Sequence, residues 1–137
     1  MINLPLGSLG SNFQDSTINE KSILHKLELA EENKYTDIKQ AMQYAKEALS
    51  DAKLLNNKNL IGESNLALGK CYDFLGGSIE ALDHLTEAQE IFTELQDKIK
   101  IAQTYKQIVS IYYYSQDYTT AMNYYQRVYK CGVELKY

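Results

Sequence analysis

The chain has 137 residues, 45% of them apolar and 23% charged, the composition of one folded domain rather than of a disordered segment. One proline and seven glycines argue against a turn-rich all-β fold and favour long uninterrupted elements. Fourteen basic and 18 acidic side chains leave a net charge of −4, without the basic footprint of a nucleic-acid binder.

Residues 1–16 contain neither Lys nor Arg, and Gly7, Ser8, Gly10 and Ser11 interrupt the apolar positions. A secretory leader needs a basic start and an unbroken apolar run, so residues 1–17 read as a flexible lead-in to a domain at 18–137. No stretch approaches the roughly 18 apolar residues of a membrane span. Two cysteines, Cys71 and Cys131, cannot form a disulfide framework. A reducing, cytoplasmic setting away from membranes is the expectation.

Six helices are predicted in chain order. Thr17 followed by Glu20 has capping-box spacing and starts the first near 18, running to 33. The second covers about 37–55. In the third, 59–75, Leu68, Cys71, Tyr72 and Leu75 recur at helical spacing, and Gly76-Gly77 stops it. Ser78 can cap the fourth, 79–96, where Leu82, Leu85, Ala88, Phe92 and Leu95 share one face. The fifth and sixth cover 99–115 and 119–135. Short loops make consecutive helices antiparallel neighbours.

The chain also repeats itself with a stride of 40 residues. Ala41, Ala81 and Ala121 align, as do Ala48, Ala88 and Val128, and then Leu55, Leu95 and Leu135. Small residues recurring at fixed phase mark tight helix crossings.

Those residues carry a family resemblance. Asn65, Leu68-Gly69, Tyr72, Ala81, Leu85 and Ala88 in the middle unit, and Tyr105, Ile108-Val109, Tyr112, Ala121, Tyr125 and Val128 in the third, resemble the tetratricopeptide repeat in a long form. The first unit departs from the pattern on its first helix (His25, Glu28-Leu29, Glu32) and follows it on its second (Ala41, Ala45, Ala48). The resemblance implies an all-α, right-handed superhelix of three helix-turn-helix units at about 18–57, 58–97 and 98–137. Stacked pairs of this kind leave a concave face, and the first helix of each pair lines it in this family. The inner positions so implied are Ile23, Lys26, Ala30, Asn33 and Lys34 in the first unit. Glu63, Leu66, Lys70, Asp73 and Phe74 follow in the second, and Gln103, Lys106, Ser110, Tyr113 and Tyr114 in the third. Lysines beside flat aromatic surface suit a peptide with an acidic group and an apolar anchor.

Two other features stand out. Glu80, Asp83, Glu87, Glu90, Glu94 and Asp97 form one acidic stripe, with no Lys or Arg between 78 and 97; this is a solvated face or a docking strip for a basic partner. Eight of the 12 tyrosines lie in 112–137. Tyr124, Val128, Tyr129 and Leu135 are candidates for an open end face that a second copy or a further domain would cover.

Catalysis has little support. His25 and His84 stand far apart, no zinc-ligand spacing surrounds either cysteine, and no phosphate-binding loop, dinucleotide fingerprint or nucleophile elbow is present. The reading is a non-enzymatic interaction module for a protein or peptide, without metal or cofactor. The alternative, implied by the long-form resemblance, is a sensory or dimerising region of a larger bacterial signalling protein with a diguanylate cyclase, histidine kinase or DNA-binding output.

Overall fold

The computed structural model describes residues 17–132. Six α-helices run through them: α1 (Glu20–Asn33), α2 (Ile38–Leu54), α3 (Lys58–Phe74), α4 (Ser78–Glu94), α5 (Lys98–Tyr114) and α6 (Tyr118–Lys130). The flexible lead-in expected over most of 1–17, and Leu135, lie outside the described residues.

Helices α2 to α5 are each 17 residues long, and three-residue turns follow them. The middle residue of each turn has positive φ: 51° at Asn56, 82° at Gly76, 56° at Gln96 and 66° at Gln116. The bonding is the same each time. The Asn56 amide donates to the Lys53 carbonyl (3.0 Å) and the Asn57 amide to that of Ala52 (3.1 Å), and the turns at 76–77, 96–97 and 116–117 repeat this pair. Such a Schellman turn satisfies carbonyls that the helix end leaves open.

The last residue of each turn is also the cap of the next helix. Asn57, Asp97 and Asp117 accept from the amides of Leu60, Lys100 and Thr120. At α4 the cap is Gly77, which has no side chain to offer, so Ser78 is the first residue inside the helix and not the cap that the sequence suggested. The first helix is corrected in the same way. Asn19 caps it in a reciprocal pair with Ser22 (Oδ1 accepting at 2.8 Å, Ser22 Oγ accepting at 3.2 Å), in place of Thr17 and Glu20. The α1–α2 turn breaks the pattern because Thr36 stands where the positive φ would fall. A β-branched residue tolerates that conformation poorly, and here the Thr36 and Asp37 amides both reach the Asn33 carbonyl instead.

Each helix packs on the next. In addition the backbones of α1 and α3, and of α3 and α5, come close, whereas those of α2 and α4, and of α4 and α6, do not. The odd-numbered helices thus form a continuous layer and the even-numbered ones stand apart on the other side, an arrangement of helical-repeat type. Ala41, Ala48, Ala81 and Ala88 are fully buried, with Ala121 and Val128 nearly so, as crossings with close backbones require. The α3–α4 crossing is tight: a Cβ on Gly69 would lie 2.6 Å from Leu85 Cγ and Cδ2, so only a glycine admits Leu85 there.

One polar network is built into this core. Asn65 is fully buried; its Nδ2 donates to the Ile61 carbonyl (3.1 Å) and its Oδ1 lies 2.8 Å from His84 Nδ1. With the Asn65 amide nitrogen already donating, His84 Nδ1 carries the proton and donates. The imidazole lies flat against Tyr72, with ring centroids 5.4 Å apart. Burial lowers the His84 pKa below its ordinary value, against the opposing charges of Glu87 and Asp83.

Candidate functional site

The odd-helix layer contains a depression of about 420 Å³. Leu24 and Leu27 from α1 and Leu66 and Ala67 from α3 form its floor. Glu28, Glu31, Glu63, Lys70 and Gln103 surround them. Leu66 also belongs to the core around Ala81 and Leu85, so it is a floor residue held from beneath. Ile23 and Ala30, inner positions by resemblance, are buried and offer no surface.

The lysines do not present loose positive charge. Lys26 turns away from the layer onto α2, where its Nζ meets Asp51 at 2.7 Å and Glu47 at 3.9 Å. Lys34 donates to Glu31 at 2.9 Å, and Lys70 stands 4.0 Å from the same carboxylate. Lys100 from α5 bonds Glu63. Burial works to raise the Glu31 pKa, but the Lys34 bond and the Lys70 charge prevail and hold it below the usual carboxylate value. Burial, helped by the charges of Lys34 and Lys106 and opposed by Glu31, lowers Lys70. Of the carboxylates that border the hollow, Glu31 is met by Lys34 and Lys70 and Glu63 by Lys100, so the rim is a set of ion pairs and not a surplus of one charge.

The remaining inner positions are divided. The Asn33 side-chain amide bonds back to the Leu29 carbonyl (2.8 Å). Asp73 accepts from Gln107 at 2.9 Å, tying α3 to α5, and burial raises its pKa despite that bond. Phe74 is half exposed and meets Tyr35 edge-to-face at 5.4 Å. Lys106, Ser110, Tyr113 and Tyr114 come together around a different hollow of about 260 Å³, shared with Val109, Tyr125 and Val128. These four third-unit positions thus join α6 at the end of the array, and of the third unit's inner positions Gln103 borders the hollow between α1 and α3.

Among the candidates for an open end, Tyr124 is turned inward. It stacks on Tyr112, with centroids 5.7 Å apart, and lies under the Arg127 guanidinium at 4.7 Å. Val128 is buried and Tyr129 is 83% exposed. The acidic stripe on α4 is exposed from Glu80 to Glu94, but it is not wholly unengaged: Asp97 caps α5 and Glu94 holds Lys58 at 2.9 Å. Among the described residues no three His, Cys, Asp or Glu side chains are grouped to hold a metal ion, and no helix is long and apolar enough to cross a membrane.

Leu24, Leu27, Glu28 and Glu31 lie outside the positions implied by the resemblance. Leu24 and Leu27, three apart and therefore neighbours on one face of α1, are the signal in the sequence that could have found the hollow. In comparison with known proteins, the chain matches no family model, no curated protein and no solved structure at a significant level.

Proposed function

We propose that the chain is a non-enzymatic interaction module of tetratricopeptide type, with three units and right-handed stacking, that holds a peptide or protein segment on the layer formed by α1, α3 and α5. The observation that supports this most is the hollow between α1 and α3. A layer whose backbones come close, backed by helices whose backbones do not, curves toward the closer side, and the Leu24–Leu27–Leu66–Ala67 floor lies on that side. An apolar floor inside a rim of ion pairs suits a large apolar side chain. The acidic group inferred from the lysines loses its partner, because Glu31, Glu63 and Asp51 engage Lys34 and Lys70, Lys100 and Lys26.

Peptides selected from a random library on the wild-type chain test this reading. They are expected to be enriched in an aromatic residue or leucine, and to lose about tenfold or more in affinity for Leu24→Glu. Leu24 is 47% exposed, so the variant is expected to fold, and circular dichroism checks that. Selected peptides that bind both proteins equally would refute the site. The alternative, a dimerising segment of a larger signalling protein, is favoured by the outer face of α6, where Tyr118, Met122, Tyr125 and Tyr129 are exposed among the described residues.

A further inference from the structure

Along α6, Tyr118, Met122, Tyr125 and Tyr129 are 57%, 56%, 51% and 83% exposed. Their spacing of four, three and four places them on one stripe of the helix. The same repeat phase in α2 holds Ile38, Met42, Ala45 and Leu49, which share a core with Leu68 and Cys71 of α3. In α4 it holds Leu82 and Leu85, packed with Ile108 and Ile111 of α5. The stripe on α6 is therefore the stacking face of the array, bare among the described residues.

The other end of the molecule does not fit that face. The shorter α1–α2 turn shifts α1 by one residue against the repeat, so where α5 offers Ile101, Ile108 and Ile111 for stacking, α1 offers Ser22, Leu29 and Glu32. Head-to-tail addition would strand the Glu32 carboxylate away from water. The stripe does fit itself. Its four large side chains are symmetric about a point between Asn123 and Tyr124. An antiparallel pair with a two-fold axis there sets Tyr118 against the partner's Tyr129, and Met122 against the partner's Tyr125. The charges agree: α6 begins at Asp117 and ends with Arg127 and Lys130, so antiparallel pairing brings each acidic end beside a basic end and opposes the helix dipoles.

We propose that two copies of this chain pair through the outer stripe of α6 as a closed, two-fold dimer. The four side chains would cover roughly 100 Å² each, from their half-exposed aromatic surfaces. A total of roughly 800 Å² is below the ~1,000 Å² of a stable interface, so the pairing is weak and transient. The pairing does not depend on the hollow between α1 and α3.

Sedimentation of the 137-residue chain from about 5 to 500 µM reads weak pairing. The mass is expected to double with concentration and to stop there. Tyr125→Glu is expected to weaken association about tenfold or more. Ile79→Glu, on a more exposed apolar residue of α4 (76%), is expected to leave it unchanged. Should Tyr125→Glu lose its helical circular dichroism, Tyr129→Glu at the most exposed seam position replaces it. One mass throughout, growth past the dimer, or an unchanged dimer in the folded seam variant would overturn the proposal.

Discussion

The hairpins α3–α4 and α5–α6 are built on one repeat phase, yet their outer surfaces differ in kind. Leu85 of α4 is fully buried, whereas Tyr125, 40 residues on, is 51% exposed. Gly69 lets Leu85 approach α3; Val109 stands at the same phase in α5 and lines an open hollow with Tyr125. The difference is not in helix formation, since the turns and caps are alike. Burial in a stacked array is conferred by the helix that comes next: α5 covers α4, and among the described residues nothing covers α6.

The comparison breaks most sharply under truncation. Leu85→Ala is expected to cost about 2–5 kcal/mol, as buried leucines do. Tyr125→Ala is expected to cost within about 0.5 kcal/mol, as for an ordinary surface position. Urea unfolding of the two variants at one protein concentration measures both. Equal losses would mean that α6 is covered in solution.

A smaller effect comes from exchanging the crossing residues. Gly69→Val drives a Cβ into Leu85 and is expected to destabilise by about 1–3 kcal/mol. Val109→Gly removes a side chain from a helix without relieving a crossing, and is expected to cost about 1 kcal/mol from backbone entropy. Thermal unfolding ranks the pair, and adding Leu85→Ala to Gly69→Val should restore part of the first loss.

The hairpins also differ in pH response, because His84 is held by Asn65 in one of them and the other has no histidine. The folded His84 pKa lies below 6.5, so between that value and 6.5 the unfolded chain binds more protons. Stability is then complete above about pH 6.5 and falls as the pH drops through the folded pKa. Unfolding midpoints from pH 7.5 to 5 should fall less steeply for His84→Gln than for wild type. Identical slopes would place His84 outside the network.

The smallest expected effect is at the caps. Gly77 is the one turn-ending residue from 57 to 117 without a capping side chain. Gly77→Asn is expected to add a few tenths of a kcal/mol, read as a slight rise in Tm. A fall would mean that the new side chain cannot displace Glu80, whose Oε2 lies 3.0 Å from the added Cβ.

Much of the fold is legible in the sequence because helix periodicity and turn chemistry are local. The 40-residue stride located the crossings at Ala41, Ala81 and Ala121, and Gly76-Gly77 marked a turn. Its finer period, 20 residues from one positive φ to the next, was hidden because Asn56, Gly76, Gln96 and Gln116 are three residue types meeting one backbone requirement. The interaction surfaces were less legible. Repeat phase placed Lys26 and Lys70 on one face, but a lysine stem spans several ångströms and its head goes to whichever carboxylate another helix presents.

The sequence by itself determined six amphipathic helices, their turns and the small residues at their crossings, since each follows from neighbours within about four positions. Only the tertiary structure decided which charges are spent on one another, that Leu24 and Leu27 floor a hollow with Leu66, and that Tyr118, Met122, Tyr125 and Tyr129 face outward. Those outcomes depend on what a distant helix places opposite a side chain, and a stretch of sequence contains no term for that.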